Sequence, residues 1–344
     1  MRRRRFLLAY LFILLSTILI LNVCSRPESR KSDQTISVVD QLERTVVIPQ
    51  KITRIAALHH FGGKVVFALG QQDKVVDQVF YHREREAMAK VNPAFAAKPS
   101  MLNLHGINIE ELITLKPDVA FVYASFDKAE MGQLENAGIR VVAIRGETIE
   151  ESYQGVKVMA RVLHCEAKGQ AYIDDCERLL SMAKKRVVNL PAENQLKVMF
   201  AGPKNIYTVA TGEMLQTEIL SLAGARNVAS NLKGFWAAIS PEQAAAWNPD
   251  VIFLGSTLDT YGTENLYHNP QFQTIKAIKN KRVYTFPSNI GWWDYPAPHC
   301  VLGVVWAAKT LYPERCTDLD ILKIADEFYA KYMGYTFTAM GGKL

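Results

Sequence analysis

The sequence predicts an α/β protein of two lobes, each a parallel-type sheet covered by helices, joined by a long, stiff helical connector. The main observation is a repeated phrase. The stretch from Ile109 to Val122, with Glu110, Glu111, Leu115, Lys116, Pro117 and Asp118, returns 132 positions later from Pro241 to Leu254, with Glu242, Gln243, Trp247, Asn248, Pro249 and Asp250. Each copy places a glutamate at the start of a short helix, stops at Pro-Asp and enters an apolar run of strand length. Proline cannot continue a helix, and β-branched or aromatic runs suit a buried strand. Two copies at this distance imply two lobes of similar plan. The other observations are helical periodicity between the copies and a length of about 310 residues after the leader, enough for two cores.

The chain opens with Arg2 to Arg5, an apolar run from Phe6 to Leu21, and a polar exit at Asn22 to Pro27. This reads as a secretory signal, slightly short for a transmembrane helix, and places the functional part outside the cytoplasm. Cys24 sits where a bacterial lipoprotein signal carries its lipidated cysteine. Leu21 fits the position three before it, whereas Val23 is not the small residue expected there, so an uncleaved anchor and ordinary cleavage stay open. Arg3-Arg4-Arg5-Phe6-Leu7 also resembles a twin-arginine signal, but the apolar run favours the general secretory route. Removing Arg2 to Arg5 takes the formal charge from +6 to +2, which gives no electrostatic case for nucleic acid. The expected organisation is a signal over 1–24, a tether over 25–45, an N-terminal lobe over 46–147, a connector over 148–190 and a C-terminal lobe with terminal helices over 191–344.

In the first lobe Val46 to Pro49, Arg54 to Leu58, Val75 to Phe80, Val119 to Val122 and Ile139 to Ile144 read as strands, the first edge-like because of its proline. His59-His60-Phe61-Gly62-Gly63 breaks the pattern after the second of these. Tyr81-His82-Arg83 follows the third, and Leu104-His105-Gly106 precedes the repeat. Four of the seven histidines thus fall at or near predicted strand ends, where ligands collect in open α/β sheets. Each alone reads first as a capped or solvated loop residue. Together, imidazole, phenol and guanidinium groups suit a metal complex or an anionic ligand.

The connector, Thr148 to about Asn189, is interrupted near His164 to Gly169. Cys165, Cys176, Cys300 and Cys316 have neither CxxC pairing nor zinc-ligand spacing, so they read as apolar fillers or one opportunistic disulfide. The second lobe offers strands at Leu196 to Phe200, Tyr207 to Ala210 and Arg282 to Pro287, and a helix from Thr217 that ends at Gly224. Ser288 to His299 is the richest stretch. Trp292, Trp293 and Tyr295 among prolines read either as indoles folded onto the lobe or as an aromatic wall for a large, partly apolar ligand. Val301 to Leu311 and Asp318 to Tyr332 close the chain as helices.

Gly106-Ile107-Asn108-Ile109-Glu110 through Pro117-Asp118-Val119, Leu222 to Val228, Ile239 to Gln243 through Pro249-Asp250-Val251, and Trp293-Asp294-Tyr295-Pro296 with Leu302 to Ala308 together resemble the substrate-binding proteins of ABC importers for iron siderophores, haem and cobalamin. The resemblance covers essentially all of the mature chain. It implies two Rossmann-like lobes bridged by a rigid helix, with a ligand cleft between them and only small motions on binding. It implies a non-catalytic, extracytoplasmic, monomeric component that works with a permease and its ATPase and has no cofactor of its own. By motif, Glu110 and Glu242 are the carboxylates that dock on permease arginines, although each equally suits a helix start. Ligand contacts are expected from His59, His60, Tyr81, His82, Arg83, His105, Tyr123 and Arg145, and from Lys204, Phe235, Trp236, Trp292, Trp293 and His299. Many relatives have arginine where this chain has His299. That raises direct imidazole coordination, by His59, His60, His82 or His299, against an arginine clamp. The expected cargo is an iron complex, a ferric siderophore first, with haem or a corrinoid as alternatives. A tethered sensor or a metal-dependent hydrolase is the reading outside this class. Against the hydrolase, the sequence has no P-loop, HExxH, GxSxG or dinucleotide fingerprint.

Overall fold

The computed structural model describes residues 35–344 except 78, 79, 81, 104, 105, 259, 260 and 288, and of residues 82, 102, 103, 106 and 257 it describes the backbone alone. Cys24, Tyr81 and His105 therefore lie outside the described residues, as does the side chain of His82. The compact unit treated below comprises Ser37–Ile48 and Ile52–Leu344.

Strands β1 (Thr35–Val39) and β2 (Thr45–Pro49) form a two-stranded ribbon where a tether through residue 45 was expected. The buried Asp40 carboxylate anchors its turn. It accepts the Leu42 and Arg44 amides and the Arg44 guanidinium, and takes the Ala143 amide at 3.1 Å. The first lobe continues with β3 (Ile55–Ala57), α1 (His60–Ala68), α2 (His82–Val91), α3 (Pro93–Ala96), β4 (Leu102–Asn103), β5 (Gly106–Ile107), α4 (Ile109–Thr114), β6 (Val119–Tyr123), α5 (Lys128–Asn136) and β7 (Arg140–Ile144). Its sheet is parallel, in the order β3-β6-β7. Of the strand expected at Val75 to Phe80, residues 78 and 79 lie outside the described residues; among the described ones Val75 forms a single parallel bridge to Ile55. Side chains bond to its surroundings as well: buried Asp77 accepts the Ala57 amide at 3.1 Å, and the Lys98 ammonium donates to the Val75 carbonyl.

Two helices, α6 (Ile149–Val162) and α7 (Glu166–Val187), make the connection. They part at His164, whose φ of 53° no α-helix can hold. The second lobe contains β8 (Lys197–Ala201), β9 (Thr208–Val209), α8 (Leu215–Leu222), β10 (Arg226–Asn227), β11 (Ala237–Ala238), α9 (Pro241–Trp247), β12 (Val251–Leu254), α10 (Thr263–Tyr267), α11 (Lys276–Lys279), β13 (Val283–Thr285), α12 (Cys300–Leu311) and α13 (Ile321–Met333). Its sheet runs β11-β9-β8-β12-β13, with β10 also on β8. The pairs β8-β12, β12-β13 and β8-β10 are parallel; β9 and β11 pair antiparallel, so this sheet is mixed.

The repeat is structural down to single bonds. Lys116 and Asn248, each before the proline, both take left-handed backbone, φ 44° and 45°, which ends the helix and swings the chain into β6 or β12. The following aspartates then clamp the start of the neighbouring strand. Asp118 accepts the Thr53 and Arg54 amides at 2.7 and 2.9 Å, and Asp250 accepts the Lys197 amide at 2.8 Å. A basic residue of the clamped segment donates in turn to the last carbonyls of the repeat helix, Arg54 to Leu115 and Lys197 to Trp247. These bonds fix β6 beside β3 and β12 beside β8.

Burial works against the Asp250 charge, yet the bonds from Lys276 and the Lys197 amide outweigh it and hold the carboxyl below its ordinary range. A folded-state value below the unfolded one gives stability above the unfolded pKa, about 3.9, that disappears as pH falls through the folded value. We expect Asp250→Ala to cost about 2 kcal/mol near neutrality, measured by urea unfolding, and the deficit to shrink once the medium is acid enough to protonate Asp250 in the wild type.

Candidate functional site

The carboxyl ends of β3, β6 and β7 and of β8 and β12, together with the loop after β13, surround a cavity of about 330 Å³. From the first lobe its wall takes His59, Tyr123, Ser125 and Glu147; from the second it takes Pro203, Met214, Gln216, Phe235, Trp236, Gly255, Ser256, Trp292, Asp294, Tyr295 and Pro296.

His59 caps α1: its Nδ1 accepts the Phe61 amide at 3.2 Å. The ring proton therefore sits on Nε2, which faces the Tyr295 hydroxyl at 3.2 Å and joins the two lobes. The imidazole stacks on Tyr123 with ring centres 4.2 Å apart. Tyr123 in turn donates to Glu147 at 2.6 Å and accepts the Gly146 amide. On the opposite wall Trp292 and Tyr295 rings meet at 5.2 Å. Asp294 holds that loop down, accepting the Ser256 amide at 2.9 Å and the Ser256 hydroxyl, while Gln216 Nε2 donates to the Asp294 carbonyl at 2.8 Å. Burial raises the Asp294 carboxyl above its usual range. Gly255 allows this approach, because a Cβ there would stand 3.1 Å from the Asp294 carboxylate and from the Ala201 carbonyl.

Of the residues expected to contact ligand, His59, Tyr123, Phe235, Trp236 and Trp292 meet at this cavity. Phe235 stands at its mouth, 66% exposed. Trp293 does not reach it. The indole is fully buried on the other side of the loop, donating to the Tyr329 hydroxyl at 3.2 Å and packed on Phe337. His60 and His299 lie beneath the wall. His60 packs its ring 5.8 Å from Trp292, and His299 Nε2 meets the Trp292 carbonyl at 3.1 Å. Lys204 and Arg83 are exposed outside the lining, and Arg145 sits 3.6 Å from Glu151. Among the described residues no three His, Cys, Asp or Glu side chains are arranged to hold a metal ion. His59 caps α1, His60 packs against Trp292 and His299 supports the loop through the Trp292 carbonyl, and the four described cysteines outside the leader are free thiols.

Sequence reasoning missed Met214 and Gln216, and left Ser125, Glu147, Pro203, Gly255, Ser256, Asp294, Tyr295 and Pro296 out of the site although their segments are strand-end or aromatic loops in the sequence. It also missed Lys64. This lysine is buried on α1, forms an ion pair with the equally buried Glu84 of α2 and has its Nζ 5.0 Å from the Phe80 ring centre. Burial pushes its ammonium down to about 7.

Burial pushes both His59 and His299 down to about 3, and His60 well below its ordinary value through burial first and the neighbouring His59, Lys64 and His299 next. Each is neutral when folded and gains a proton when unfolded, so stability is full above pH 6.5 and falls as acid approaches the folded values. Urea midpoints measured between pH 7 and pH 4, as a rough working window, should fall steadily in the wild type. His299→Gln, which keeps a donor for Trp292, should flatten that slope.

The sequence model of the periplasmic binding protein family matches residues 55–290. The molybdate-binding protein MolA of Haemophilus influenzae is 27% identical over 319 residues, covering 86% of this chain and 90% of that protein. A vitamin B12-binding protein of Vibrio vulnificus is 23% identical over 74% of this chain and 88% of its own length. Among solved structures, MolA bound to molybdate superposes with a TM-score of 0.76 at 25% identity, covering 88% of this chain and 99% of that one. Helicobacter pylori CeuE with Ni(II) gives 0.72 at 22% identity, covering 89% and 98%, and shares the fold. Among the described residues no helix is long and apolar enough to cross a membrane. With a match over more than half its length, two lobes and a cleft walled from both, this chain belongs to the periplasmic binding protein family, as the non-catalytic, extracytoplasmic solute-binding component of an ABC importer.

Proposed function

We propose that the cargo is a compact, near-neutral ferric chelate, gripped through its ring or apolar faces and passed to the permease. The observation that carries this reading is the lining: His59, Tyr123, Trp236, Trp292 and Tyr295 supply aromatic faces, and no lysine or arginine is among the described lining residues. Its two carboxylates already have donors within the protein, Glu147 from Tyr123 and Asp294 from Ser256. Neither demands a cationic ligand, and the described lining offers no guanidinium to a strongly anionic one. The volume, about 330 Å³, is at the low end of the roughly 300–1,000 Å³ typical of ligand pockets, which disfavours full enclosure of haem or a corrinoid.

A metal oxyanion is the second reading. Helix α8 begins in the cavity wall at Met214 and Gln216 without a side-chain cap; the Met214 carbonyl takes the Thr217 amide at 2.9 Å, so the Leu215 and Gln216 amides are the ones that would meet an anion. The 27% identical relative is named for binding molybdate. Trp236 and Trp292 report on both readings. Tryptophan quenching should saturate with a ferric dicatecholate at micromolar concentration or below, and Trp292→Ala should weaken that binding about tenfold or more. Saturation by molybdate alone would establish the second reading, and saturation only by haemin or cobalamin would overturn both.

We assign permease docking to Glu110 and Glu242, which stand exposed in the first turns of α4 and α9 at equivalent repeat positions. Each helix is closed by a capping pair: Asn108 accepts the Glu111 amide, and Ser240 accepts the Gln243 amide. The Ser240 hydroxyl holds the Glu242 carboxyl below its ordinary value. Glu110→Lys with Glu242→Lys should abolish uptake in reconstituted transporter while leaving the quenching titration unchanged; a parallel loss of ligand affinity would refute the assignment.

A further inference from the structure

The loop from 230 to 236 carries Phe235 to the mouth of the cargo cavity, and the turn that leads into α8 ties it down from behind. Both backbone groups of Gly234 are held by that turn: its amide donates to Glu213 Oε2 at 2.8 Å, and its carbonyl accepts the hydroxyl of buried Thr211. The Gly212 amide donates to the Leu232 carbonyl at 3.1 Å, and a Cβ on Gly212 would collide with the Ser230 carbonyl, so the loop lies directly on the turn. Gly234 has a φ of 77°, in the left-handed region that glycine tolerates, which sets the direction in which the chain leaves toward Phe235. On the far side Ala237 pairs with Val209 of β9. Phe235 is thus fixed from both sides, while its ring stays largely exposed and lines the cavity.

An aromatic ring on a slack loop has to be ordered when cargo arrives, which subtracts from the gain of covering it; a ring already held in place avoids that cost. Lys233 Nζ also lies 3.2 Å from Glu213 Oε1, but both side chains are well exposed and such a pair contributes little, so the bond to the Gly234 amide is the one that orders the loop. We propose that Glu213 is a positioning residue for cargo retention: through Gly234 it holds Phe235 over the mouth, so that the ring covers the bound cargo and slows its escape. The role rests on the cargo occupying this cavity, as proposed above.

Hydrogen exchange of the full chain without cargo tests the tether by itself. Glu213→Ala should speed exchange in the segment 231–236 about tenfold, and Glu213→Gln, whose amide oxygen can still accept from Gly234, should restore the protection. Stopped-flow tryptophan quenching with a ferric dicatecholate tests retention. Phe235→Ala and Glu213→Ala should each raise the dissociation rate about tenfold, with the association rate within about twofold of wild type. The double variant should dissociate no faster than Phe235→Ala alone, because Glu213 acts through that ring. Unchanged exchange in Glu213→Ala, an unchanged dissociation rate, or effects that multiply in the double variant would each overturn the proposal. A wild type that ferric dicatecholate does not quench counts against the chelate reading instead, and the same cycle is then decided with molybdate, haemin or cobalamin, whichever saturates.

Discussion

Asp118 and Asp250 accept the amides that open the neighbouring strands, and the placement of the site depends on that clamp. The ladder of a parallel sheet repeats along its length, so a bond that fixes a strand's end reinforces the register that side-chain burial sets. A carboxylate at the foot of β6 or β12 that takes the first amides of β3 or β8 fixes the register from below. Four or five residues later, the upper ends of those strands must come out level. His59 and Tyr123 are therefore close enough to stack, and Gly255 stands level with Ala201. The same clamp recurs with the same left-handed residue before the proline and the same basic donor to the helix end, so both lobes obtain level strand ends by one local device.

Above the strand ends, the wall is held by polar groups that burial has made intolerant of change. The Asp294 carboxyl accepts the Ser256 amide and hydroxyl in a site whose burial opposes ionisation, and Gln216 reaches in from α8 to the Asp294 carbonyl. Removing one partner would strand another in a low-dielectric setting, which costs more than the bond itself contributes. The loop from 289 to 299 is thus positioned by its buried members, and this frees Trp292 and Tyr295 to face the cavity. The Lys64–Glu84 pair does similar work in the first lobe, where α1 and α2 share one buried charge couple beneath His60.

Much of this was legible before the fold was known. The repeat identified helix, turn and strand in both lobes because each of its residues is dictated locally: a cap, a proline stop, a β-branched run. The carboxyl ends of the strands located the neighbourhood of the site for the same reason. Contributions from chain segments far apart were not legible. Met214 and Gln216 belong to a helix start with no polar cap to mark it, and Ser256 is an ordinary residue until Asp294, 38 positions away, folds onto it. At Val75 to Asp77 apolar composition could not reveal that Asp77 would take the Ala57 amide and that Lys98 would donate to the Val75 carbonyl.

The Trp292-Trp293 pair and His299 show why composition can find a loop and still misassign its members. Neighbouring side chains in extended or turning backbone diverge, so one indole of a pair facing a cavity sends the other inward. Trp293 went inward because Gly303 of α12 leaves room for its carbonyl, which would lie 2.4 Å from a Cβ at that position, and because Tyr329 offers its indole an acceptor. His299 followed the same direction. Its position before α12 suggested a metal ligand or a substitute for an arginine clamp, yet its ring meets the backbone of Trp292 from below. Its influence on cargo is accordingly indirect: a neutral imidazole beneath the wall sets the height of Trp292 without adding charge to the cavity. An arginine at 299 would bring a permanent cation next to Lys64, whose own charge burial already disfavours. Histidine at 299 is therefore coupled to Lys64 as well as to Trp292, and it adds no permanent charge beneath the described lining of the cavity.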